Sequence, residues 1–204
     1  MNTEITVHPK LQHYGLTTGN LDAMLDWYRK VLGMTVNHRS APAVGAQKGP
    51  PFSFAFVSND EVHHRMVFIE MPGLIGDPDQ RRHTRVQHVA FEYETLDDLL
   101  GTYVRLKGLG ILPVMAADEG MQVVLYYSDP DQNTVELNVN IYGNDWTATE
   151  HMKNAPSGRP HRVLVDPEKL VAARERGASP WELHNRAFTG EFAPAEPFDQ
   201  RALL

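Results

Sequence analysis

His13 and His88 lie in segments that echo each other, LQHYGL and VQHVAF, and Glu136 interrupts the alternating run Val135-Glu136-Leu137-Asn138-Val139-Asn140. Two imidazoles and one carboxylate are the donors with which non-haem Fe(II) is held on one side, leaving positions open for a substrate and dioxygen. The chain has no cysteine, so disulfides, thiolate ligands and a cysteine nucleophile are all excluded. Any metal here must take nitrogen and oxygen donors. A single strand histidine is more often hydrogen-bonded or at the surface than a ligand. Two histidines in duplicate register, joined by a carboxylate on a closing strand, are harder to read that way. The sequence therefore predicts one divalent ion held by His13, His88 and Glu136.

The elements that must position these residues repeat at an offset of 75 residues, from His13 to His88. Leu21-Asp22 falls on Leu96-Asp97, Leu25 on Leu100, Tyr28 on Tyr103 and Gly33 on Gly108, with no gap. Such self-similarity marks a duplicated unit. Each copy opens on a short strand and enters a helix, capped by Asn20 or Thr95 and carrying an apolar stripe at helical spacing. Strand-like runs follow at 35–39, 52–57 and 64–71 in the first copy, and at 110–115, 122–127 and 134–140 in the second. The fold class is thus α+β, two β-α-β-β-β modules at about 10–73 and 85–142 within a domain spanning 8–142. Residues 143–204 form a C-terminal helical and extended appendage, too polar for a core of its own. Asp166-Pro167 starts one helix there, and Ser179-Pro180-Trp181-Glu182 forms a capping box for another.

His64, Met66, Phe68 and Glu70 share one strand face by parity. A hairpin loop near 129–133 brings Tyr126 near Glu136 across the ladder. The bland alternatives are a surface histidine for His64 and a core aromatic for Tyr126, with Tyr127 taking the inward place if Tyr126 does not.

These segments resemble the vicinal-oxygen-chelate superfamily over about residues 10–142, and within it the type I extradiol ring-cleavage dioxygenases. The residues carrying the resemblance are LQHYGL around His13, VHHRMVF around His64, VQHVAFEY around His88 and LYYSDPDQNTVEL from Leu125 to Leu137. It implies the two modules in one domain and Fe(2+) held by His13, His88 and Glu136, with Mn(2+), Zn(2+) or Ni(2+) as alternatives. It also implies His64 and Tyr126 as catalytic groups beside the metal. The substrates would be a catechol and O2, and the setting aromatic catabolism. The pattern departs in one place. A further histidine usual near Ala117–Glu119 is missing, so either Asp118 or Glu119 takes its part or the reaction differs.

Two rival readings remain at this level. A glyoxalase-like isomerase or lyase would recruit Glu70, in FIEMP, as a fourth ligand. A metal-free binding or resistance protein would need no ligands, yet all three are present. The formal charge of −7 argues against a nucleic-acid partner. The polar N-terminus and the lack of a long apolar run predict a cytoplasmic protein with no membrane contact. A homodimer or higher homo-oligomer is expected, with the Trp146 segment and the tail as candidate covers for the pocket.

Overall fold

The computed structural model describes residues 8–43, 50–155 and 161–199. The chain divides into two compact units, Met1–Gly76 and Asp77–Leu204, each taken below by itself. Both are mixed sheets backed by helices, and the α+β pattern of two β-α-β-β-β modules is realised in both.

In the first unit β1 (Tyr14–Thr18) leads to α1 (Leu21–Leu32), β2 (Thr35–Ser40), β3 (Ser53–Ser58) and β4 (Met66–Glu70). The sheet order is β1-β4-β3-β2, with β1 parallel to β4. Asn20 caps α1 by accepting from the Ala23 N–H, and Gly33 ends it in the left-handed region at φ 66°, a conformation glycine adopts without a Cβ clash. The stripe Leu21, Met24, Tyr28 and Val31 is buried. It packs on one sheet face, where Tyr28 meets Phe68 with ring centroids 4.9 Å apart. Ala55, Val57, Met66 and Phe68 make up that helix-covered face and are fully buried. Phe54, Phe56, Val67 and Ile69 alternate onto the open face and are half-buried.

The second unit repeats the plan with β5 (His88–Tyr93), α2 (Leu96–Gly108), β6 (Met115–Asp118), β7 (Gln122–Ser128) and β8 (Thr134–Asn140). It then adds α3 (Asp145–Asn154), β9 (Val163–Leu164), α4 (Pro167–Glu175) and α5 (Pro180–Ala187). The order is β5-β8-β7-β6-β9, with β5 parallel to β8. The strand expected at 110–115 forms later, at Met115–Asp118. After α2 the chain turns through Gly110, at φ 75°, and the Ile111 N–H returns to the Leu106 carbonyl. Only past Pro113 is the backbone free to pair, and Ala116-Ala117-Asp118 then joins β7.

The C-terminal residues form the two helices expected from Asp166-Pro167 and from Ser179–Glu182 and pack onto the second unit. β9 extends the sheet beside β6, while Val165, Leu170, Ala173, Leu183, Ala187 and Phe192 are buried. Arg174 reaches Asp97 with two nitrogens at 2.6 and 2.8 Å. Lys107 and Tyr103 of α2 both bond Glu168. The apolar residues are few but fall on one side of α4 and α5, which is what periodicity over a nine-residue helix reveals poorly. No described helix is long and apolar enough to cross a membrane.

Candidate active site

On the open face of the second sheet, the parallel register sets Ala90 beside Glu136, two residues past His88. The antiparallel register sets Tyr126 directly across from Glu136. His88 and Glu136 therefore converge, with Nε2 of His88 3.2 Å from Oε2 of Glu136. The Tyr126 ring stands edge-on to His88, centroids 5.8 Å apart. Nδ1 of His88 is engaged by the Gln87 side-chain oxygen. That makes Nδ1 the donor and Nε2 the nitrogen that faces Glu136.

Glu136 is buried to 2% exposure and sits in a web of side chains. Its Oε1 accepts from Asn138 Nδ2 at 2.8 Å and from Gln122 Nε2 at 3.1 Å. Gln122 also donates to Glu119 Oε2 at 3.2 Å, and the Tyr126 hydroxyl donates to Glu119 Oε1 at 3.3 Å. Burial, with the Glu136 and Glu119 carboxylates close by, holds the Tyr126 phenol far above its ordinary range, so it stays a proton donor.

Of the two residues that might fill the place of the missing histidine, Glu119 is on this face and Asp118 is not. The Asp118 carboxylate turns to the helix side, where it accepts from Nδ1 of His184 at 2.8 Å. Ala117 itself belongs to a small apolar cluster with Met115, Val124 and Tyr126, against which Leu164 and Phe198 pack. The tail thus reaches the open face beside Tyr126. A cavity of about 600 Å³ adjoins the carboxylate web, sharing Ala90, Gln122 and Asn138, with α3 as one wall through Ala148 and Met152. Trp146 of α3 is instead turned outward.

In the first unit His13 precedes β1 and its ring lies 4.3 Å from that of His64. Its Nδ1 is engaged by the Gln12 oxygen, the same arrangement as at His88. His64 stacks on Phe56 at an interplanar angle of 13° and touches His63. Burial first, then the neighbouring His13 and His63, push its pKa down. The parity argument for this strand fails at His64. β4 begins only at Met66, so Arg65 breaks the alternation, and His64 lies with Phe56 on the open face while Met66 and Phe68 face α1.

Glu70 keeps the Met66 parity. Its Oε1 accepts the Leu21 N–H at 3.0 Å, capping the start of α1, where a carboxylate is favoured by the free N–H groups. The residue that occupies the place of Glu136 in the first unit is Val67. Gly15 follows His13 by two residues as Ala90 follows His88, and Gly15 pairs with Val67 as Ala90 pairs with Glu136. A Cβ on Gly15 would meet Val67 Cγ1 at 3.1 Å, so the two side-chain positions share the open face.

The structure thus brings together His88, Glu136 and Tyr126 in one unit and His13 with His64 in the other. Among the described residues neither unit alone gathers three His, Asp or Glu groups able to hold a metal. Gln122 and Asn138 were not singled out from sequence. Their signal is parity, since Asn138 follows Glu136 by two residues in a strand whose other alternates are apolar.

Comparison with known proteins adds a family. Residues 10–137 match the model described as Glyoxalase/Bleomycin resistance protein/Dioxygenase superfamily. Biphenyl-2,3-diol 1,2-dioxygenase 2 of Rhodococcus globerulus is 32% identical over 201 residues, 98% of this chain and 99% of the relative. Biphenyl-2,3-diol 1,2-dioxygenase 3 of the same organism is 36% identical over 149 residues, 72% of each chain. Among solved structures, the glyoxylase/bleomycin resistance protein/dioxygenase domain from Frankia sp. EAN1pec shares the fold. Its TM-score is 0.54 at 22% identity, covering 66% of this chain and 93% of that one.

Proposed function

The chain belongs to the Glyoxalase/Bleomycin resistance protein/Dioxygenase superfamily, and within it we propose that it is an Fe(II)-dependent extradiol dioxygenase that opens a catechol-type ring with O2. The relatives named as diol dioxygenases support the reaction class. The observation that carries the reading is Val67. The closing strand that supplies Glu136 in one unit supplies an apolar side chain at the equivalent register position in the other. Glu70, the fourth ligand of the rival reading, accepts the Leu21 N–H at the N-terminus of α1 through Oε1. Three protein ligands leave open the positions that two substrates need.

The donor set suits such an ion. His88 Nε2 and Glu136 Oε2 lie 3.2 Å apart, near enough that one cation could be held by both. The duplicated sequence assigns the third place to His13. What iron would supply there is a set of open positions where a catecholate and dioxygen meet and exchange electron density. The protein's own groups do the rest. Tyr126, still carrying its proton, donates from Oη to a substrate oxygen in place of Glu119. His64, with Nδ1 against His63, takes and returns a proton at Nε2. Both oxygen atoms enter the product as the carbon–carbon bond beside the diol breaks, giving one new carboxylate and one new carbonyl. The cavity beside Asn138 receives the ring substituent.

The test is anaerobic loading with Fe(II), followed by oxygen uptake and ring-fission absorbance with a panel of catechols. One O2 consumed per product is expected. Alanine at His13, His88 or Glu136 should abolish iron retention. His64→Ala should keep iron and bind catechol anaerobically, yet turn over about 10²–10⁴-fold more slowly. A metal-loaded protein that consumes no oxygen with any catechol would overturn the reading.

A further inference from the structure

The two oxygens of the Glu136 carboxylate are treated differently by the protein. Oε1 receives two amide N–H groups, from Asn138 and Gln122, which fills both of its lone pairs. Oε2 points to His88. Both donors to Oε1 are neutral. A lysine or arginine would fix the carboxylate equally well, as Lys107 does for Glu168, but would cancel the charge that a cation needs. Amide donors hold orientation and leave that charge in place. In a site this buried, such hydrogen bonds gain from the low local dielectric.

Gln122 does one thing more. Its Nε2 carries two hydrogens, one to Glu136 Oε1 and the other to Glu119 Oε2, while Glu119 Oε1 accepts from Tyr126. One amide therefore ties the carboxylate of the ligand to the carboxylate that orients Tyr126. We propose that Asn138 and Gln122 are positioning residues that occupy Oε1 of Glu136, so that Oε2 alone, with its charge undiminished, is presented to the metal. This rests on Glu136 being a ligand, and it predicts a role for two residues that touch neither metal nor reacting oxygen.

The experiment compares the parent with Asn138→Leu, Gln122→Leu and Val139→Ala. Val139 is on β8 but faces the helices, so its variant loosens the core without touching the carboxylate. Fe(II) dissociation constants are measured anaerobically by chelator competition, beside the visible spectra of the Co(II)-loaded proteins and the melting of the metal-free ones. Both amide variants should bind Fe(II) roughly 10–100-fold more weakly and show altered Co(II) bands, since a freed carboxylate rotates or binds through both oxygens. Val139→Ala should melt lower with unchanged metal constants. Gln122 is only half-buried, so its variant decides the matter should Asn138→Leu not fold. Iron affinity within twofold of the parent and identical Co(II) bands in Gln122→Leu would overturn the inference while leaving the ligands standing. A parent that binds neither ion would overturn the ligand assignment itself.

Discussion

Replacing His184 with leucine should destabilise the second unit by about 3 kcal/mol, through the carboxylate it abandons rather than the contacts it loses. Asp118 and His184 are 1% and 5% exposed, and His184 Nδ1 donates to Asp118 Oδ2 at 2.8 Å. Removing one partner of a buried pair costs about 3–5 kcal/mol, because the other is left uncompensated. Here Asp118 Oδ1 keeps the Gly120 N–H at 2.9 Å, which places the cost at the lower end. Leucine retains much of the bulk that stacks on Trp181 and meets Phe188, so little of the loss is a cavity. About 3 kcal/mol corresponds to a melting point lower by roughly 6–12 °C at this chain length. Urea unfolding followed by tryptophan emission measures it, with Trp181 beside the change. Asp118→Asn added to His184→Leu should recover a large part, since the amide has no charge to strand. A single variant within 1 kcal/mol of the parent, or a double variant no better than the single, would refute the argument.

Three further predictions rest on the sheet registers and on burial. Val67→Glu should place a carboxylate beside His13 as Glu136 stands beside His88, tightening divalent-metal retention while lowering oxygen uptake by at least tenfold; Glu70→Gln should leave metal content at the parental level, and metal loss in it would restore the four-ligand reading. Burial holds the Tyr103 and Tyr127 phenols above their ordinary range, so each stays neutral in the fold while it ionises in the unfolded chain near pH 10. The raised folded pKa means stability is whole below about pH 10 and falls as pH rises beyond it. Tyr127→Phe should flatten that fall without cost at neutral pH, since its buried hydroxyl has no hydrogen-bond partner among the described residues; an unchanged alkaline limb in urea titrations counts against this.

Much of the fold was legible because each module states its elements redundantly. Asn20 and Thr95 cap where the apolar stripes begin, and Ser179 with Glu182 forms the full capping box. What was obscured lay where local signals conflict. Gly110 and Pro113 postponed β6, and the AAD sequence carries no strand propensity, yet it is buried on both faces and held by pairing on two sides. The two C-terminal helices were legible from their caps, but their docking was not, because it rests on partners elsewhere in the chain. Asp97, Tyr103 and Lys107 of α2 supply the partners, and none of those pairings can be seen from residues 163–192 alone.

The site divides along the same line. Duplication made His13 and His88 visible, and alternation made Glu136 conspicuous, since both are properties of sequence. Ligand number is a property of register. Counting along β4 from His64 put Glu70 forward, because parity was carried through Arg65 as if the strand were unbroken. Pairing with β1 gives a different answer: Gly15 lies beside Val67, and glycine there leaves room for the valine at 3.1 Å. In the other unit Ala90 lies beside Glu136. Each module keeps a histidine two residues before this parallel pair, but Gly15 and Val67 stand in one where Ala90 and Glu136 stand in the other. A carboxylate at both positions would give a closed, four-ligand site suited to polarising a substrate. Under the proposed ligand set a valine at one of them supplies no fourth donor, which is why Val67→Glu is the variant that separates the two enzyme readings.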